Sequence, residues 1–202
     1  MTTQKLSVVI QAGGKSHRMG TDKALLPFLG ETLIERVIHR VSPIADEVII
    51  TTNQKEKYKF LNIPLFSDLL PDRGALGGVY TALSASSNSL AAVIACDMPF
   101  VNGEMLNAEK ELLVSTNADI AIPDTGEGLE PFHAVYRVDT CLPAIVRALQ
   151  DDKWRVDAWF NQVTLEYFDQ QQIKQFDPLM RCFYNINTPD DLEEAIQLAT
   201  RT

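Results

Sequence analysis

A three-layer α/β domain on a mostly parallel sheet is what three features of this sequence predict. Short, continuous apolar runs at 6–10 and 90–95 have the length and composition of strands buried on both faces. Segments with helical spacing alternate with such runs along the chain, the order that builds parallel βαβ units. Neither an internal repeat nor a Pro/Gly/Ser-rich linker divides the 202 residues, so a single domain over 1–202 is expected, with the loop 125–131 as its weakest join.

Each element has its own signal. Residues 6–10 give the first strand. From Glu31 onward, Leu33, Ile34, Val37, Ile38 and Val41 recur at helical spacing, and Pro43 closes the helix. Residues 47–51 are β-branched and read as a strand, 75–85 as a helix and 90–95 as a second buried strand. A helix is expected over 104–114, then strands over 118–122 and 132–136. Residues 142–149 are helical in pattern, with Pro143 placed in the first turn, where a missing N–H costs nothing. A strand follows over 163–168. The last helix has Thr188 as N-cap, Pro189 at its first position and Asp190 and Asp191 in its first turn. The less regular second half is expected to add an antiparallel strand or two.

Composition narrows the function classes. Apolar residues at 46% and charged residues at 22% match a globular domain and exclude disorder or coiled coil. The net charge is −9, from 18 basic and 27 acidic residues. A surface built to neutralise a nucleic-acid backbone would be basic, so no nucleic-acid partner is expected. An anionic ligand must instead be met by a local cluster of cations and N–H groups. No apolar run nears the roughly 20 residues of a membrane span, and 6–10 is too short for a signal-peptide core. Cys96, Cys141 and Cys182 lie far apart without metal spacing, which suits a reducing cytoplasm and disfavours disulfides, zinc and iron–sulfur clusters.

Four segments carry chemistry. The first, Gln11-Ala12-Gly13-Gly14-Lys15-Ser16-His17-Arg18-Met19-Gly20-Thr21-Asp22-Lys23, directly follows the first strand. Its glycines let a ligand approach the backbone, and Arg18 and Lys23 add the positive charge that a triphosphate requires. It has neither Walker nor dinucleotide-fingerprint spacing, and a solvated loop is the alternative. The second, residues 90–100, ends a buried strand on Asp97, where open α/β sheets bind ligands. Its carboxylate is suited to Mg²⁺ with phosphate partners, or else to capping a helix near Asn102. The third runs from Ser67 to Gly78; there Asp68 can accept hydrogen bonds from a base or ribose or act as a turn acid, and Asn53 has the same two readings. The fourth places Asn185 and Asn187 on one side of an extended strip, where both amides can grip a polar substrate, whereas Thr188 onward is capping chemistry. His17, His39 and His133 share no metal spacing, and Trp154 and Trp159 are assigned to packing.

Ala12-Gly13-Gly14 through Arg18-Met19-Gly20 and Asp22-Lys23, then Cys96-Asp97-Met98-Pro99, then Asn185-Ile186-Asn187-Thr188-Pro189, resemble the molybdenum cofactor guanylyltransferases over nearly the whole chain. These are nucleotidyltransferases with a Rossmann-like, glycosyltransferase-A-like fold. The resemblance implies GTP bound by Gln11, Ala12, Gly13 and Gly14, the first three through backbone, with Lys23 on phosphate and with Asn53 and Asp68 as further nucleotide contacts. It implies Asp97 as the Mg²⁺ ligand, Asp97, Lys23 and Arg18 as the catalytic set, and Asn185, Asn187 and Arg155 on the acceptor, molybdopterin or its molybdenum-bearing form. The nucleotide part is expected over about 1–100 and the acceptor part over about 101–202. Two departures stand out: Gln11 replaces the family's usual Leu, and Glu130-Pro131-Phe132-His133 matches its proline-containing segment only loosely.

The implied reaction transfers GMP from GTP to the acceptor's terminal phosphate with release of pyrophosphate, by a cytoplasmic monomer in passing contact with proteins that deliver or receive the cofactor. The competing readings are a cytidylyl or sugar-phosphate nucleotidyltransferase of the same fold and a nucleotide-binding module without turnover.

Overall fold

The computed structural model of this protein describes residues 4–13 and 22–201. Its sheet has seven strands: β1 (Leu6–Gln11), β4 (Glu47–Thr51), β5 (Leu65–Phe66), β6 (Leu90–Ala95), β7 (Ile120–Pro123), β8 (His133–Arg137) and β9 (Leu165–Phe168). Their order across the sheet is β5-β4-β1-β6-β8-β7-β9. β1 pairs in parallel with β4 and β6, and β7 with β9, while β8 runs against both neighbours. The expected antiparallel strand of the second half is β8. A two-stranded ribbon of β2 (Pro27–Phe28) and β3 (Glu31–Thr32) stands apart from the sheet.

The three layers follow from alternation along the strands. On β1, Val8 and Ile10 face α1 (Leu33–Val41) and α3 (Gly103–Thr116), in one core with Ile34, Val37 and Leu106. Val9 faces α2 (Gly74–Ala85) and α4 (Val138–Gln150), in a second core with Leu76, Val79 and Ile145. Both faces being covered explains why the central strands read as unbroken apolar runs. A third cluster, around Phe28, Leu33, Ile186 and Ala195, seats α6 (Pro189–Thr200) on the ribbon and α1.

Sequence and structure differ at several ends. Pro143 lies inside α4, because that helix begins directly after β8, at Val138. The proline is solvent-facing, so water can serve the carbonyl it leaves unpaired. α5 (Gln170–Phe176) escaped the periodicity reading; its signal is the capping box between Asp169 and Gln172. Asn102, not Asp97, caps α3: its side chain accepts from the N–H of Met105 at 3.0 Å. Trp159 is core, as expected, but Trp154 is half-exposed beneath the Arg73 guanidinium.

Gly103, first in α3, lies close against the end of α1: an added Cβ would lie 2.6 Å from the Arg40 carbonyl oxygen. Gly103→Ala should therefore destabilise the fold by about 1–3 kcal/mol through forced backbone displacement, seen as a lower Tm in thermal denaturation.

Candidate functional site

Because β1, β4, β5 and β6 run the same way, their carboxyl ends form one edge, and the candidate residues gather there. Gln11 ends β1, and Asn53, Asp68 and Asp97 each stand two residues past the end of β4, β5 and β6. The strands stay zipped beyond their ends. The N–H of Ala12 donates to the Thr51 carbonyl at 2.9 Å, and the N–H of Cys96 to the Gln11 carbonyl at 3.1 Å. The Ala12 N–H is thus committed to the sheet, which leaves its carbonyl and Gly13 as the backbone that can meet a ligand.

Three expected residues meet in one cluster. The Lys23 ammonium donates to Asn187 Oδ1 at 2.9 Å and lies 3.6 Å from Asp97 Oδ2. Burial pushes the Asp97 carboxyl above its ordinary value, and the Lys23 charge partly opposes this. Each partner is held from behind. Lys23 begins a tight turn, Lys23–Leu25, whose preceding residue Asp22 accepts from the hydroxyl of the buried Tyr58 at 2.7 Å. The N–H of Ile186 donates to the Asp97 carbonyl at 3.0 Å, and Ile186 is fully buried. The Asp191 carboxylate accepts from the N–H groups of Asn187 at 2.7 Å and Thr188 at 2.8 Å. Capping and site chemistry, two separate readings of this segment, are therefore joined in one carboxylate.

Asn53 and Asp68 form a second unit. Asn53 Nδ2 donates to Asp68 Oδ2 at 2.7 Å, and the Asp68 N–H returns a bond to Asn53 Oδ1 at 3.0 Å. Neither is a simple turn former: the pair bridges β4 and β5, and Asp68 does not cap α2, whose N-cap is Arg73. The Gln11 carboxamide packs against α2, where a Cβ on Gly78 would lie 2.7 Å from Gln11 Oε1. Its Nε2 is buried with no hydrogen-bond partner among the described residues.

The other expected residues are not joined to the Lys23 cluster. The Asn185 amide donates to the Phe183 carbonyl at 2.9 Å. Arg155 is exposed and forms a two-pronged bond with Asp157, at 3.0 and 2.7 Å. Gly14 and Arg18 lie outside the described residues. Tyr58 and Asp191, the two groups that fix Lys23 and Asn187, were not singled out as functional. Tyr58 carries no local pattern that points to Asp22, and Asp191 looked like capping alone.

One carboxylate at a strand end is a donor set suited to Mg²⁺, which binds one or two carboxylates and completes its shell with substrate phosphates and water. Among the described residues no group of three or more His, Cys, Asp or Glu could hold a metal without such a substrate. No helix of the described residues is long and apolar enough to cross a membrane.

Comparison with known proteins bears on the whole chain. Residues 8–163 match the MobA-like NTP transferase domain. A probable molybdenum cofactor guanylyltransferase of Natranaerobius thermophilus is 35% identical over 204 residues, covering 99% of each chain. The crystal structure of molybdopterin-guanine dinucleotide biosynthesis protein A from Archaeoglobus fulgidus superposes with a TM-score of 0.83 at 26% identity, covering 97% of this chain and 100% of that one. The fold alone extends to 2-C-methyl-D-erythritol 4-phosphate cytidylyltransferase from Thermus thermophilus, with a TM-score of 0.68 at 19% identity, covering 95% of this chain and 98% of that one.

Two outcomes test this geometry. Lys23→Gln removes the charge that opposes burial, so the Asp97 carboxyl should titrate at higher pH than in the parent, as followed by carboxyl-carbon NMR. Gln11→Leu removes a buried donor that has no acceptor among the described residues, and calorimetry should show a higher Tm, with a gain of about 1 kcal/mol.

Proposed function

Because this chain belongs to the molybdenum cofactor guanylyltransferases, with their MobA-like NTP transferase domain, we propose that it transfers GMP from GTP to the terminal phosphate of molybdopterin or its molybdenum-bearing form. The convergence of Lys23, Asp97 and Asn187 on one sheet edge carries the assignment of roles. Lys23 and Asp97 come from the nucleotide part, about 1–100, and Asn187 from the acceptor part, about 101–202. Two substrates held by these two parts would meet at the Lys23 ammonium.

In the reaction an oxygen of the acceptor phosphate attacks the α-phosphorus of GTP. The bond from that phosphorus to the bridging oxygen of the β-phosphate breaks, and pyrophosphate leaves with the electron pair. The attacking phosphate is already ionised, so no general base is needed. The protein's task is to bring two anions together and to hold the charge that grows on the leaving group. Lys23 has three N–H donors; Asn187 takes one and Asp97 attracts another, which aims the ammonium and leaves a donor for phosphate. Arg18 is assigned to the same phosphates. Asn187 spends its oxygen on Lys23 and keeps Nδ2 for the acceptor, with Asn185 and Arg155 beside it in the proposed acceptor set. Gln11, Ala12, Gly13, Gly14, Asn53 and Asp68 are assigned to the nucleotide. Asp97 would hold Mg²⁺, which when bound neutralises phosphate charge. We place the enzyme in the cytoplasm as a monomer, in passing contact with proteins that deliver or receive the cofactor.

Asp97→Asn and Lys23→Ala should each lower turnover by about 10²–10³-fold, as loss of one charge-stabilising group does elsewhere, with circular dichroism and Tm close to the parent. The assay follows pyrophosphate release with GTP, Mg²⁺ and molybdopterin. Turnover retained in both variants would overturn the assignment, and turnover with CTP in place of GTP would move the enzyme to the cytidylyl branch.

A further inference from the structure

The core beneath the acceptor strip contains an ion-pairing couple that the transfer chemistry does not use. Glu109 on α3 and His133 at the start of β8 are both fully buried, with Glu109 Oε1 3.2 Å from His133 Nδ1. Their outer atoms, Glu109 Oε2 and His133 Nε2, are buried with no hydrogen-bond partner among the described residues. Such a couple is a poor stabiliser: desolvation offsets the attraction, and well-packed apolar residues of similar volume often do as well or better. Its place in the fold is more informative. His133 lies opposite Ile94 on β6, three residues before Asp97. The Phe183 ring packs against the imidazole in an edge-to-face contact, with centroids 5.3 Å apart. Phe183 leads directly into the strip 184–187, whose Ile186 is tied to Asp97 and whose Asn187 meets Lys23.

We propose that Glu109 and His133 are a positioning pair for the acceptor: they fix the root of the strip 184–187 and so hold Asn187 against Lys23. This rests on the assignment of that strip to the acceptor. The imidazole that Glu109 orients is the edge-to-face partner of the Phe183 ring, so the couple bears directly on where that ring sits. Burial raises the Glu109 carboxyl to about 7 against the pull of His133. Glu130, whose half-buried carboxyl burial also raises, and the Cys182 thiol, raised chiefly by burial, act on the pair as well, while the Tyr136 hydroxyl lies on the other face of β8 and donates to the Pro131 carbonyl. Lys110, next on α3, turns to Glu111 instead. The segment Glu130-Pro131-Phe132-His133, only a loose match to the family's pattern, thereby gains a role.

The test uses two variants of the full chain, Glu109→Gln and the apolar double variant Glu109→Leu with His133→Phe. Tm, GTP affinity by thermal shift, and KM and kcat for molybdopterin are measured for each. In at least one folded variant, KM for molybdopterin should rise about tenfold, as modest misplacement of a binding group allows, with Tm and GTP affinity near the parent values. An unchanged KM for molybdopterin would overturn the proposal, as would an equal loss of GTP affinity. Failure of both variants to fold would overturn it too, because the pair would then be a stability element. If the functional assignment itself is wrong, the parent enzyme fails to turn over GTP with molybdopterin, an outcome separate from any of these.

Discussion

Lys23 is the point at which the end of β6 and the segment ahead of the last helix meet. Its ammonium is shared between a half-buried carboxylate on a strand end and an amide ahead of the last helix. Asp97 sits where burial disfavours its charge, and the Lys23 ammonium opposes that effect. The reach of Lys23 brings the strip before α6 over the sheet edge. The Tyr58 bond to Asp22, the Ile186 bond to Asp97 and the Asp191 cap of α6 each hold one member of this cluster.

The fold was legible where local pattern and tertiary environment agree. Residues 47–51 and 90–95 became strands with those bounds because strands covered on both faces need only apolar, β-branched sequence. The last helix began at Pro189 with Thr188 as cap, because its signal is contained within four residues. Legibility failed where context overrides pattern. α4 starts at Val138 because β8 feeds straight into it, which carries Pro143 past the first turn. α5 is too short to show a period. The ribbon of β2 and β3 has two residues a strand and turns on Leu29 and Gly30, both with positive φ.

The sequence names three residues that the fold brings together but not the groups that hold them, and it also names Arg155, which pairs with Asp157 instead. Lys23, Asp97 and Asn187 were named from the sequence and come together in the structure. Asn53 and Asp68, each with two readings in the sequence, bond to each other, a contact that no local pattern reveals. Tyr58 reaches Asp22 across 36 positions of sequence, and His133 reaches Glu109 across 24. The second pair is set by topology, because α3 packs across β7 and β8.

The Asp191 carboxylate has two duties with different tolerances. As a helix cap it can be lost at modest cost, since the fold does not depend on one turn of α6. As the anchor of the Asn187 backbone it has no substitute among the described residues. Fraying of that first turn would therefore release Asn187 from Lys23 while the sheet and both cores remain intact. On warming, the contact between Lys23 and Asn187 would loosen ahead of the cooperative unfolding transition, a local opening governed by the hold on one helix end rather than by global stability.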